Sequence, residues 1–576
     1  MAASSPDPAT AAGSGSSSLS RASYHAGRAL GQASALVERV PPWSVLFGLM
    51  LLDWGIVAEV GRISSHNGPV YYHGGDSNWY YTSSWELANG RIPYGRISYG
   101  FPLVTAPIAK IAGPNLVAGL PAVIAFNQLV LAPIALLCIY GIARTLGGRG
   151  YAYLVSALWT VFPVLVIHYF LADYHSRYVD MTLPAAIGLS DRGDFPSLVM
   201  LLVAAYFTLR LAATGRDLDA LAAGLAIGFA LVIKPSNALF VPAAALALLV
   251  ARRFRGLAIV AAATIPSLVG LALWKDRGLG YLPAFSFGQG GALLAAVGVV
   301  VVGFQLDLHR YLQLNWGVLR ENLDGFREYT WSQRIVYWTA VGGLIGLARR
   351  STVTAVLAGT WLATFLLVKG SSPVVNFKIG AFFSHLVPAF PAYFLILASL
   401  PFLLPFYGRR RQPISFGSGG RLPAAVVGVL AVITLAGLIL VAALPRGATA
   451  NSAMVPGYFL VPIGTFPLEA NAVGRTVRLS WASAGPGGRK ARYTIMRVAG
   501  DARHDCIPIQ GAPSACTYQG DVVGFVPGNR LSAVDRPPPG LWTYRIAESV
   551  TPFGPIQDTD FIVLSTPAEV HIAARR

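Results

Sequence analysis

The sequence predicts a mainly α polytopic membrane protein with about eleven transmembrane helices, followed by an all-β sandwich domain. Three observations carry that prediction. Apolar runs of about 20 residues recur up to Pro445, each long enough to cross a bilayer as a helix. Only 12% of the 576 residues are charged and 54% are hydrophobic, which excludes an ordinary soluble domain. Beyond Pro445 the pattern changes to short alternating runs between Gly/Pro turns, as in TVRLSW (476–481), ARYTIMRV (491–498) and GLWTYRIAES (540–549).

The elements follow in order. Residues 1–42 are rich in Ser, Ala and Gly, carry Arg21, Arg28 and Arg39, and end at Pro41-Pro42. They read as a disordered cytoplasmic tail and not as a cleaved signal peptide. The membrane domain is 43–445. Its first span is near 43–60, with later spans near 117–143, 151–170, 197–213, 218–233, 237–251, 256–274, 335–348, 352–368, 385–405 and 422–444. The net charge of +18 sits in clusters between these runs: Arg144 with Arg149, Arg210 with Arg216, Arg252 with Arg253 and Arg255, Arg349 with Arg350, and Arg409 to Arg411. Such clusters fit the positive-inside rule, not a nucleic-acid surface. Placing them all in the cytoplasm puts the N-terminus inside and the 446–576 sandwich outside. Residues 288–304 are apolar but short, and read as a re-entrant or interfacial segment.

Long loops then face outward: 61–116, 171–196 and 305–334, the last with the mixed periodicity of an interfacial helix. In the sandwich, Cys506 and Cys516 lie in an oxidising space and are expected to form a small-loop disulfide, while Cys138 reads as core. Trp481, Tyr493 and Tyr544 read as core packing.

The strongest chemical signal runs from His73 to Gly100. Asp76 follows Gly74-Gly75 and precedes an aromatic helix at 79–88. A carboxylate just outside the bilayer can take a proton from an acceptor hydroxyl, and the same residue suits a helix N-cap. Trp79, Tyr80, Tyr81 and Trp85 can stack on a sugar or lipid, with interfacial anchoring expected of at least two of them. Glu86 reads as a surface residue of that helix. Asp53, inside the first span, is the alternative acid, and Glu59 reaches the outer interface. Lys234 opens a Lys-Pro break on the outer side, against the positive-inside bias, so it calls for an anionic partner such as a lipid-linked phosphate. Lys378, His385, Arg177 and His175 are further outer-side candidates. Asp173, Asp180, Asp191 and Asp194 could hold a divalent cation, although no D-x-D or EF-hand spacing supports one. No P-loop, G-x-S-x-G or H-E-x-x-H is present, against ATP-driven transport and serine hydrolysis.

Three of these features together, Gly-Gly-Asp76-Ser with its aromatic helix, Lys234-Pro235, and SHLVPAFPAYFLI at 384–396, resemble the GT-C superfamily of membrane glycosyltransferases over residues 43–405. The similarity is to the dolichyl-phosphate-mannose and aminoarabinose transferase branch. It implies an inverting transferase, with no cofactor required, that moves a sugar from a polyprenyl-phosphate donor to a glycan, lipid or protein acceptor of the cell envelope. By the same resemblance Asp76 matches the first-loop catalytic aspartate and Lys234 a phosphate contact. Ser77 stands where the family has a second acid, and His385 where it often has Arg. The sandwich resembles the accessory domains of some actinobacterial cell-wall transferases. Two other readings compete: a lipid or glycan transporter or flippase, against which no internal repeat is visible, and a non-catalytic scaffold that works through the sandwich.

Overall fold

The computed structural model describes residues 40–64, 76–93, 97–113, 116–279, 285–289, 302–306, 314–330, 333–372, 375, 377, 381–404, 416, 421–445, 458–482, 492–509, 512–518, 521–527, 529–549 and 561–573. Within them, seven helices are long and apolar enough to cross a membrane: Pro42–Ile63, Gly119–Tyr169, Asp194–Thr214, Phe254–Arg277, Thr352–Gly370, Phe382–Leu403 and Arg421–Ala443. The lower number has simple causes. The expected spans at 117–143 and 151–170 run together, bent at Gly148, whose φ is 82°. The Asp217–Ile233 helix has 17 residues, and its neighbour Pro235–Val250 is also short. Helix Gln333–Arg350 is long but carries Arg349 and Arg350 in its last turn.

The Asp217–Ile233 helix is the hub, packed against Asp194–Thr214, Phe254–Leu279, Arg421–Ala443 and Gly100–Ala112. Nearly every residue from Ala220 to Ile233 is buried, which explains its lack of an amphipathic stripe. Gly224 and Gly228 form a small-xxx-small stripe facing Phe254–Leu279. A Cβ at Gly224 would lie 2.5 Å from the Val260 carbonyl oxygen, so only hydrogen permits that approach. The Thr264 hydroxyl uses the proximity to donate to the Gly224 carbonyl at 3.1 Å. Gly100 plays the same part at the far end, its Cα lying against the backbone of Val232 and Ile233 and so setting where Lys234 emerges.

The two ends of the bundle differ in charge. At one end Arg210 donates to Asp219 at 2.7 Å, both buried, with Arg253 capping the carbonyls of Ala212 and Ala213 and Arg255 pairing with Asp217. Lys234 meets Asp194 at the other.

The loop expected at 61–116 contains two helices, Asp76–Ala88 and Gly100–Ala112, joined through Ser84 and Thr105, whose hydroxyls are 2.8 Å apart. The second of these was not foreseen, because Pro102 and Pro107 and its 13 residues argue against a span. The flanks of the 288–304 segment, Phe285–Gln289 and Val302–Leu306, pair as antiparallel strands; the segment's centre lies outside the described residues. The expected interfacial helix in 305–334 is Trp316–Tyr329, with Trp316 exposed and Leu319, Asn322 and Phe326 buried.

The C-terminal region is strand-rich. Tyr458–Phe466, Cys506–Ile509, Ala512–Tyr518, Arg492–Ala499, Asp521–Pro527, Gly540–Ser549, Phe561–Ser565 and Ala568–Ile572 belong to one sheet, and Leu468–Val473, Thr476–Trp481 and Ser532–Asp535 to a second. Val477, Leu479 and Trp481 alternate inward and meet Tyr493, Ile495, Tyr544 and Ile546 in one core, as the period-2 pattern requires. Trp481, Tyr493 and Tyr544 are core residues. The Tyr544 hydroxyl ends on Asp535 at 2.7 Å, and Arg497 pairs with that carboxylate at 2.6 Å. Cys506 and Cys516 lie on adjacent antiparallel strands, opposite Tyr518 and Pro508; their side chains are outside the described residues. Cys138 is buried and free.

Candidate active site

Asp76 starts its helix and sits in the first turn, where the positive end of the helix dipole favours a carboxylate. Half of its side chain is exposed (50%). Behind it lies Arg192, 15% exposed, with Nη2 3.8 Å from Asp76 and Nε 3.7 Å from Asp194. Asp194 is buried in the first turn of Asp194–Thr214, and Lys234 donates to it at 2.5 Å from the C-cap of the neighbouring helix. A cation at that C-cap also meets the negative end of the dipole. His385 and Lys369, on the Ala381–Leu386 and Thr352–Gly370 helices, lie within electrostatic reach of Lys234 and Asp194. The result is an alternating row of charge, from the exposed Asp76 inward through Arg192 and Asp194 to Lys234.

The segment 187–193 that carries Arg192 is held from below. Residues Asn127–Leu131 form a π-helical turn inside the long apolar helix, and both amides at its start reach the same segment. Asn127 donates to the carbonyls of Gly188 and Ser190 at 3.0 and 3.3 Å, and Gln128 to that of Ile187 at 2.6 Å. Gly188 has φ 73°, the left-handed turn the segment needs. Gly193 has no room for a side chain, because the Tyr80 hydroxyl lies where a Cβ would sit. Burial, and then the charges of Asp194, Asp76 and Asp191, hold the Tyr80 phenol well above its ordinary range, so it stays a neutral donor.

Asp191 is the anomaly of the segment. It is buried, and neither carboxylate oxygen has a hydrogen-bond partner among the described residues. Burial pushes it up to about 8 from 3.8, so it folds protonated at neutral pH. The folded state therefore binds the extra proton, and its stability falls as pH rises from about 4 towards 8, by at most about 1.4 kcal/mol per pH unit. Thermal unfolding of the detergent-solubilised protein should show that slope between about pH 6 and pH 8. Asp191→Asn should flatten it, and equal slopes in both proteins would remove the assignment.

The other sequence candidates are distributed differently. Asp53 is not in the row. It faces a cavity of about 30 Å³ lined also by Met50, Trp159, Thr160, Phe195 and Phe390, inside the first span. Trp79 and Tyr80 are buried and Trp85 half-buried, where interfacial anchoring or open stacking had been expected; Tyr80 packs edge-on against Phe101, and the Tyr81 hydroxyl donates to Gly113. Glu86 is fully buried rather than on the surface, paired with Arg91 at 2.9 Å. Glu59 pairs with Arg62 in the open. His175 is bound to the Phe170 carbonyl at 2.5 Å, and Arg177 lies over the Tyr329 ring, in an aromatic cluster with Tyr174, Phe377 and Phe383. Neither joins the charged row. Lys378 and the Asp180 side chain lie outside the described residues. Of the four aspartates considered for a cation, Asp173 is exposed and Asp194 is spent on ion pairs. No group of three His, Cys, Asp or Glu ligands gathers among the described residues.

Sequence reasoning missed Arg192 and Lys369. The signal for both was the one used for Lys234: a cation at the end of an apolar run away from the arginine clusters.

No family model matches the chain, and no curated protein matches it. Among solved structures it is similar to the oligosaccharyltransferase of Archaeoglobus fulgidus in the apo form, with 14% identity and a TM-score of 0.37 over 69% of this chain and 55% of that one. It is likewise similar to the archaeal oligosaccharyltransferase AglB from Archaeoglobus fulgidus in complex with an inhibitory peptide and a dolichol-phosphate, with 13% identity and a TM-score of 0.34 over 70% of this chain and 56% of that one. The chain thus spans little more than half the length of the structures it matches.

Proposed function

We propose that the protein is a GT-C-type glycosyltransferase that moves a sugar from a polyprenyl-phosphate donor to a glycan, lipid or protein acceptor of the cell envelope, with inversion. The observation that carries the reading is the half-exposed Asp76 backed by Arg192, Asp194 and Lys234 at the end of the bundle away from the arginine clusters. By the positive-inside rule that end is extracytoplasmic.

In this reading Asp76 accepts the proton of the acceptor hydroxyl as its oxygen bonds to the anomeric carbon. The bond from that carbon to the phosphate oxygen breaks, and its electron pair leaves with the polyprenyl phosphate. Arg192 and Lys234 face the charge that grows there, Lys234 keeping two N–H donors beyond the one spent on Asp194. The nearby Tyr80 hydroxyl is a neutral donor to the same region.

Membranes carrying the protein, given a panel of radiolabelled polyprenyl-phosphate sugars, are expected to transfer label from one of them to an envelope acceptor. No transfer from any donor by the folded protein would sink the proposal and return the flippase reading.

A further inference from the structure

Lys369 is a cation that no carboxylate pairs with among the described residues. It lies in the last turn of Thr352–Gly370, half-buried, close enough to Lys234 and Asp194 to feel both charges. Asp194 is already taken by Lys234 and faced by Arg192. Among the described residues no hydrogen bond or ion pair reaches the Lys369 ammonium. An ammonium held at a bilayer edge within reach of a second cation is costly without an anion. The backbone that follows it is held in place. Asn322, buried in the Trp316–Tyr329 helix, donates to the carbonyls of Gly370 and Val375 at 2.8 and 2.6 Å and accepts from the Phe377 N–H at 2.9 Å. Those three bonds use the side-chain amide on the turn that follows Lys369. Leu319 of the same helix packs on Gly370, where a Cβ would lie 2.8 Å from it.

We infer that Lys369 is a further residue that binds the phosphate of the lipid-linked donor, and that Asn322 is its positioning residue. The inference rests on the transferase reading and deepens it. Lys234 spends one donor on fixing Asp194, and Lys369 adds a whole charge for the ligand. The amphipathic helix, joined to the site through Asn322, becomes part of the donor subsite.

The test is binding of farnesyl phosphate, a short polyprenyl monophosphate, to the purified full-length protein in detergent, with farnesol and inorganic phosphate as controls. Lys369→Met keeps the aliphatic stem in its apolar seat and removes the charge. It is expected to weaken farnesyl phosphate about ten- to hundredfold, the range of one charge-assisted hydrogen bond, and to leave farnesol unchanged. Lys369→Arg should recover most of the loss. Asn322→Ala should raise KM for the donor more than it lowers kcat, which general loosening of the fold would not do. Equal binding of farnesyl phosphate by Lys369→Met and wild type overturns the inference while leaving the transferase reading intact. So does binding of inorganic phosphate as tight as that of the lipid phosphate, which would mark a free-anion site. If wild type binds farnesyl phosphate through Lys369 yet transfers no sugar, the subsite stands and the transferase reading falls.

Discussion

Asp76→Asn is expected to lower sugar transfer by about 10²–10⁴-fold, the span that a positioned general base contributes. The substitution keeps the shape of the side chain and removes only its ability to accept a proton. The fold should be nearly indifferent to it. Asp76 is half exposed, and its nearest ion-pair contact, Arg192, is 3.8 Å away, a separation at which a screened pair contributes up to about 1 kcal/mol. Farnesyl phosphate should still bind the variant, since the proposed phosphate subsite lies deeper. Asp53→Asn is the matched control. Its carboxyl faces a cavity inside the first span and not the charged row, so transfer should persist. Transfer retained by Asp76→Asn and lost by Asp53→Asn would exchange the two roles.

The second large effect is on stability. Asp194→Ala takes its carboxylate from Lys234 and one ion-pair partner from Arg192, in a setting where Asp194 itself is 3% exposed. Removing one partner of a buried pair typically costs about 3–5 kcal/mol, because the remaining charge keeps its desolvation penalty and loses its compensation. The variant should melt well below wild type in detergent and accumulate poorly in membranes. A double variant, Asp194→Leu with Lys234→Leu, should recover much of that stability, since an apolar pair of similar volume avoids the penalty altogether. It should not recover transfer, because Arg192 and Lys369 would lose the anion around which they are arranged. A double variant as unstable as Asp194→Ala would show that the pair is not the source of the effect.

The membrane domain was legible wherever a run of apolar residues met a basic cluster. Periodicity alone then located nearly every helix, and the period-2 runs after Pro445 located strands of the C-terminal sheets. The hub helix Asp217–Ile233 was recognised as a span from composition, but its central place was not, since burial on all sides leaves no directional pattern to read. Lys234 stood out as an ionisable group in a place where one is expensive, and Asp76 as a carboxylate after Gly-Gly just outside the bilayer, ahead of an aromatic helix. Their connection through Arg192 and Asp194 was invisible, as it depends on two consecutive helices packing side by side so that residues 40 apart meet at one end. Tyr80 misled in the ordinary way of aromatics, which suit an interface and a core equally well. Glu86 misled because a buried carboxylate betrays itself only through its partner, and Arg91 lies in a turn whose path no local rule supplies.

The π-helical turn at Asn127–Leu131 carries a consequence for how this protein tolerates change. Successive residues of a regular α-helix diverge by about 100°, so neighbouring side chains normally address different surroundings. The widened turn lets Asn127 and Gln128 address the same segment, and that segment delivers Arg192 and Asp194. The site is thus geared to a count of residues within the bilayer as much as to their identities. A single residue inserted or deleted within this turn or within the segment would rotate one against the other like a slipped cog, although every charged side chain remained in the chain. Lineages of this protein can be expected to vary the length of the exposed connections while keeping the turn at 127–131 and the segment 187–194 free of insertions and deletions.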